Sequence, residues 1–102
     1  MRFRMIAPDE IEPYIQDEQS LIIDLREQTE YDRRHIRSAV NIPYGSWRQY
    51  EEKKEFLKML EKKNVILYCE RGPTSFAVAK ELAEKGIFVS VLVGGIKSYR
   101  GK

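Results

Sequence analysis

The one cysteine of this 102-residue chain, Cys69, follows the apolar run VILY (65–68) and precedes the polar segment Glu70-Arg71-Gly72-Pro73-Thr74-Ser75. A continuous apolar run of that length reads as a buried strand, and the polar turn after it feeds residues with helical spacing. Backbone N–H groups in such a turn can converge on a thiol, and the helix start adds partial positive charge. Both effects favour the thiolate, the nucleophilic form. Gly72 permits a backbone conformation closed to other residues, Thr74 and Ser75 offer hydroxyls, and Arg71 offers a cation to an anionic ligand. The expected assembly is a cradle for a small anion with a nucleophile at its base. A lone cysteine is otherwise most often a buried packing residue, but its place between strand and helix argues here for reactivity.

Other chemically capable residues carry plainer expectations. His35, the only histidine, is expected to be hydrogen-bonded and structural rather than a general base for Cys69. Asp24 and Arg26 read as a structural ion pair ahead of catalytic groups. Trp47 and Tyr50 can wall a pocket, yet aromatics at helical spacing are usually core. Gly94-Gly95 suits a tight turn, and neither it nor Gly72 has the spacing of a phosphate-binding loop. With one cysteine, an intramolecular disulfide and a multi-cysteine metal site are excluded; no metal and no cofactor are expected.

The elements that must position these residues alternate between strand and helix. Residues 2–6 predict a short edge strand, and Pro8, with Asp9 and Glu10, predicts a helix to about Gln16. Leu21–Asp24 is a buried strand and Glu27–Arg33 one or two helical turns. Ala39–Ile42 is another buried strand, stopped by Pro43. Ser46–Lys63 is the longest periodic stretch, with Trp47, Tyr50, Phe56, Leu57 and Leu60 on one side and its Lys/Glu blocks a solvated face. Val65–Tyr68 is the central strand and Ser75–Lys85 a helix closed by Gly86. Val89–Val93 is the last strand, followed by a short helix at Ile96–Tyr99. The pattern predicts an α/β domain, a mostly parallel sheet with helices on both faces.

Composition sets the outer bounds. With 42% hydrophobic and 33% charged residues, the chain fits one domain, 1–102, with a modest core. Its 18 basic and 16 acidic residues leave a net charge of +2, too little to argue for nucleic acid or an anionic membrane. No run approaches the ~20 apolar residues of a membrane span, and Asp9 and Glu10 interrupt any leader-like stretch. A free thiol then suggests the reducing cytoplasm.

Three segments together resemble the rhodanese-like family. LIIDLREQTEYDRRHIRSAVNIPY looks like its signature of Asp-x-Arg, Glu-Tyr, His-Ile and Asn-Ile-Pro; VILYCERGPTS looks like its active-site strand and loop; SVLVGGIKSY is similar to its closing strand, paired glycines and short helix. The resemblance covers essentially the whole chain and implies a rhodanese fold and a sulfurtransferase. Cys69 would take sulfur from a donor such as thiosulfate or a persulfide and pass it to a thiol, to cyanide or to a sulfur-accepting protein. Glu70, Arg71, Gly72, Pro73 and Thr74 would complete the loop that binds the transferred sulfur, with Asp24, Arg26 and Ser75 in support. The protein would be a monomer or weak homodimer. Arg34 and Ser38 stand where the family usually has glycine. Glu70 opposes a doubly anionic donor, where thiosulfate-preferring members often carry two basic residues.

Two other functions compete. Related folds with a phosphatase activity need an arginine six positions after the cysteine to clamp phosphate; Ser75 stands there, and the loop is one residue short for phosphate by comparison with those relatives. A non-enzymatic docking or regulatory module, or a sensor in which Cys69 is oxidised or persulfidated, is the alternative from another class.

Overall fold

The strands are short and bounded by polar turns, and all of them pair in parallel. In the computed structural model, which describes residues 3–101, β1 (Arg4–Ile6), β2 (Ser20–Asp24), β3 (Val40–Asn41), β4 (Asn64–Tyr68) and β5 (Ser90–Leu92) form one sheet in the order β1-β5-β4-β2-β3. The register aligns Asp24 with Tyr68, so β2 and β4 end side by side. Between the strands lie α1 (Glu12–Gln16), α2 (Gln28–Arg33), α3 (Tyr44–Glu51), α4 (Lys54–Lys62) and α5 (Pro73–Glu84), with 3-10 turns at Pro8–Glu10 and Gly95–Ser98.

Strand side chains alternate between the two faces of the sheet, and two separate cores result. Ile23, Leu67, Cys69 and Val91 face Trp47, Leu60, Val78, Ala79 and Leu82 of α3, α4 and α5. Ile22, Ile66, Tyr68 and Leu92 face Ile11, Ile36 and Ile96, with Tyr14, Ile15 and Tyr31 of α1 and α2 packed against them. The predicted α/β class, with helices covering both faces of a parallel sheet, is what forms.

Four local expectations are corrected. The helix expected from Pro8 to Gln16 is interrupted at Ile11, where the 3-10 turn gives way to α1. The Ser46–Lys63 stretch is two helices, because Lys53 adopts an extended backbone (φ −93°, ψ 121°). That break folds Phe56 back to 5.5 Å from the Trp47 ring and 5.4 Å from Tyr50. The strand expected at Ala39–Ile42 narrows to two residues at the sheet edge, where Val40 is exposed while Ala39 and Ile42 are buried. The helix expected from Ser75 starts at Pro73, whose fixed φ suits a first helical position. The start of the strand expected at 2–6 lies outside the described residues.

Candidate functional site at the end of strand β4

The chain leaves β4 toward β5 on one side and leaves β2 toward β3 on the other. Adjacent parallel strands with diverging connections open a crevice outside their carboxyl ends, where open α/β sheets place their ligands. Cys69 is the first residue after β4, and Leu25 and Arg26 are the first after β2. A cleft of about 450 Å³ lies there, lined by Leu25, Arg26, Glu27, Glu30, Tyr44, Cys69, Glu70, Arg71, Pro73 and Thr74.

Cys69 continues the alternation of β4, so its side chain lies on the α5 side of the sheet and is only 5% exposed. It is more enclosed than the sequence suggested, packed at the margin of a hydrophobic core; the cleft nevertheless reaches it. Gly72, at φ +132° just before α5, turns its N–H back to donate to Sγ at 3.1 Å. A side chain at Gly72 would be strained at that φ and would press on the Phe76 ring. Ser75, fully buried, donates its hydroxyl to the Gly72 carbonyl at 2.9 Å, and the Cys69 thiol lies 3.6 Å from the same Ser75 oxygen. Sulfur, glycine amide and serine hydroxyl thus form a closed set that fixes the loop. The Ser75 hydroxyl proton is thus directed at the loop backbone and not at the sulfur. Thr74 and Arg71 line the cleft, and their side chains make no hydrogen bond or ion pair among the described residues.

Asp24 and Arg26 lie beside one another on the opposite face. Asp24 is fully buried and accepts the Arg26 backbone N–H at 2.8 Å, Nε at 3.1 Å and Nη2 at 2.8 Å. Nη2 also donates to the Arg34 carbonyl at 2.5 Å. Burial pulls the Arg26 pKa down, but the hydrogen bond and charge of Asp24 outweigh it and hold it above the ordinary value. The Tyr68 hydroxyl accepts the Ile36 N–H at 3.1 Å. Burial, and then the bond to Asp24, push the Tyr68 pKa far up, so it stays protonated. From this anchored position Arg26 reaches the cleft, 3.6 Å from Glu70, which lies 3.6 Å from Lys97 on its other side. The pair is a structural anchor with one cationic face toward the site.

His35 stacks on Tyr31 at 3.8 Å, and its Nδ1 lies 2.7 Å from the Tyr31 carbonyl; it is in the structural role expected. Trp47 is core and Tyr50 packs on Phe56; neither lines the cleft. Tyr44, Leu25, Glu27 and Glu30 do, and were not singled out from sequence. Leu25 and Glu27 flank Arg26 in the chain, which was an available signal. Tyr44 had none: it is placed by its N–H, which donates to the Leu25 carbonyl at 3.0 Å.

Arg34 takes an extended φ of −168°, which requires no glycine, and donates to the carbonyls of Tyr99 at 2.8 Å and Gly101 at 3.4 Å. Ser38 does occupy a glycine-like conformation, φ +65°. Neither lines the Cys69 cleft, although Arg34 lines a neighbouring pocket together with Arg26 and Glu70.

The model of the rhodanese-like domain matches residues 7–102. The chain belongs to the rhodanese-like domain family. Thiosulfate sulfurtransferase GlpE of Coxiella burnetii is 29% identical over 101 residues, covering 98% of this chain and 90% of that relative. A tRNA uridine(34) hydroxylase of Bacillus velezensis is 33% identical over 96 residues, but this rhodanese-like chain spans only 30% of it. Among solved structures, a rhodanese-related protein of Thermoplasma volcanium superposes with a TM-score of 0.77 at 27% identity, over 94% of this chain and 89% of that one. The reduced CoADR-RHD of Bacillus anthracis gives 0.81 at 27% identity, over 95% of this chain and 16% of that one.

Proposed function

We propose that this rhodanese-like domain is a sulfurtransferase that carries sulfur as a persulfide on Cys69. The observation that carries this is the Gly72 N–H held 3.1 Å from Cys69 Sγ at the foot of a cleft open to a small substrate. The Cys69 thiolate attacks the outer sulfur of the donor. A new S–S bond forms, the donor's own bond to that sulfur breaks, and its electron pair leaves with sulfite when the donor is thiosulfate. An acceptor thiolate or cyanide then attacks the terminal sulfur, and the electron pair of the Cys69 S–S bond returns to Sγ. Loop amides aimed at the sulfur stabilise its charge as an oxyanion hole does. The full-length relative named as a thiosulfate sulfurtransferase supports the transfer. With no second cysteine in the chain, the acceptor is an external small thiol or a sulfur-accepting protein.

The cleft argues against a strong preference for thiosulfate. Glu27, Glu30 and Glu70 line it against Arg26 and Arg71, and Arg26 is already paired with Asp24. A persulfide, whose reacting end carries at most one negative charge, fits this balance better than thiosulfate, whose two charges both lie on the group that must enter. A phosphatase fits worse: Ser75, where a phosphate-clamping arginine would stand, is fully buried and bonded to the loop. Cys69→Ser tests the assignment, by steady-state turnover with glutathione persulfide and with thiosulfate. The expected result is loss of transfer from both donors with an unchanged circular dichroism spectrum. Turnover retained in the variant would remove Cys69 from the chemistry.

A further inference from the structure

Gly95 opens the last 3-10 turn in the left-handed region, at φ +62°. A Cβ there would stand 2.5 Å from the carbonyl oxygens of both Cys69 and Glu70, so backbone, not a side chain, would have to yield. The close approach lets Ile96 N–H donate to the Cys69 carbonyl at 3.0 Å and Lys97 N–H to the Glu70 carbonyl at 3.4 Å. Every described peptide bond is trans, and in a trans peptide the N–H points opposite to the C=O. Turning the Cys69 and Glu70 carbonyls toward the last turn therefore turns the Glu70 and Arg71 amides the other way. The sulfur that the Gly72 amide meets packs in the core on one face of the sheet and Ile96 of the last turn in the core on the other.

We infer that Gly95 is a positioning residue for the sulfur loop: its missing side chain lets the last turn clamp the Cys69 and Glu70 carbonyls. The clamp aims the Glu70 and Arg71 amides at the place of the terminal sulfur. The inference rests on the persulfide assignment and adds to it the part of the chain that sets the loop. Gly94 is the natural comparison. It too has a positive φ, +78°, but a Cβ there meets the Ser98 side chain, which can rotate.

The test compares Gly95→Ala and Gly94→Ala in the full chain, measuring melting temperature, donor KM, kcat and the lifetime of the isolated Cys69 persulfide. Both variants should melt lower, since both place an L side chain at positive φ. Only Gly95→Ala should shorten the persulfide lifetime and lower kcat, by about tenfold to a hundredfold, with KM little changed. Equal effects in the two variants, or none in Gly95→Ala, would overturn the inference. Should Gly95→Ala not fold, amide proton shifts of the wild-type chain decide. Persulfidation should move Glu70 and Arg71 downfield together with Gly72, and movement of Gly72 alone would overturn the clamp. A wild-type chain that never loads sulfur overturns the persulfide assignment and this inference with it, whereas one that loads but shows neither effect overturns the clamp alone.

Discussion

Glu70 sits between two cations, Arg26 and Lys97, each 3.6 Å away, with its carboxylate on the wall of the Cys69 cleft. One negative charge beside the path of a dianion opposes entry by an energy on the order of 1–2 kcal/mol near a protein surface. Glu70→Gln is therefore expected to raise kcat/KM for thiosulfate by about tenfold at low salt, with the gain shrinking as salt screens it. For the monoanion benzenethiosulfonate, about half that gain on a logarithmic scale is expected. Steady-state kinetics with the two donors checks this, and an equal gain for both would show that Glu70 acts through the loop's shape instead. At this scale Cys69, Gly72 and Ser75 were legible from sequence because they lie within seven residues of one strand end. Tyr44 was not, because it enters from the end of β3 through its bond to the Leu25 carbonyl, and nothing near Cys69 in the chain records that contact. The enclosure of Cys69 was also out of reach: strand alternation fixes its face, while the depth of α5 against that face depends on the whole core.

Among the elements, the turn between α2 and β3 is closed by Ser38 at φ +65°. An L residue in this region costs roughly 1–2 kcal/mol; glycine there avoids that cost but loses about 0.5–1 kcal/mol through the freedom of the unfolded chain. The Ser38 hydroxyl donates to the Arg37 carbonyl at 2.5 Å, which recovers part of the difference. Ser38→Gly is expected to stabilise the domain by about 0.5 kcal/mol, a rise of roughly 2–4 °C in melting temperature. A fall of that size instead would mean that the hydroxyl is worth more than the backbone strain. The family glycine at this place was legible in the sequence, but the conformation that explains it was not. The division of the 46–63 stretch was hidden too, since its break at Lys53 carries neither proline nor glycine. The helix end marked by Gly86 was readable because glycine frees φ directly, whereas the expected start at Ser75 falls two positions late because Pro73, which opens the helix, reads equally well as a turn residue.

Across the whole molecule, α3 meets α5 over two carboxyls, Glu51 and Glu81, on the rim of a second cleft of about 240 Å³. Burial first, and then the neighbouring Glu81, push the Glu51 pKa above its ordinary value. The folded state then holds a proton that the unfolded state has released, so stability falls as pH rises through the raised folded value. The effect is absent below the ordinary carboxylate range and fully present above the folded value. Glu51→Gln keeps the shape without the charge and is expected to stabilise the domain at pH 7 by about 1 kcal/mol. That advantage should fade as pH is lowered toward the ordinary value, as thermal melts across pH will show; a difference that is constant with pH contradicts the assignment. The overall architecture was the most legible feature, because alternating strand and helix patterns leave few ways to cover both faces of a parallel sheet. The central claim, that Cys69 holds transferable sulfur, is tested most directly by intact mass spectrometry after exposure to glutathione persulfide and, separately, to thiosulfate. The expected result is a gain of one sulfur atom, larger in yield with the persulfide, removed by cyanide and absent in Cys69→Ser. No gain from either donor, or a gain that survives in Cys69→Ser, would contradict it.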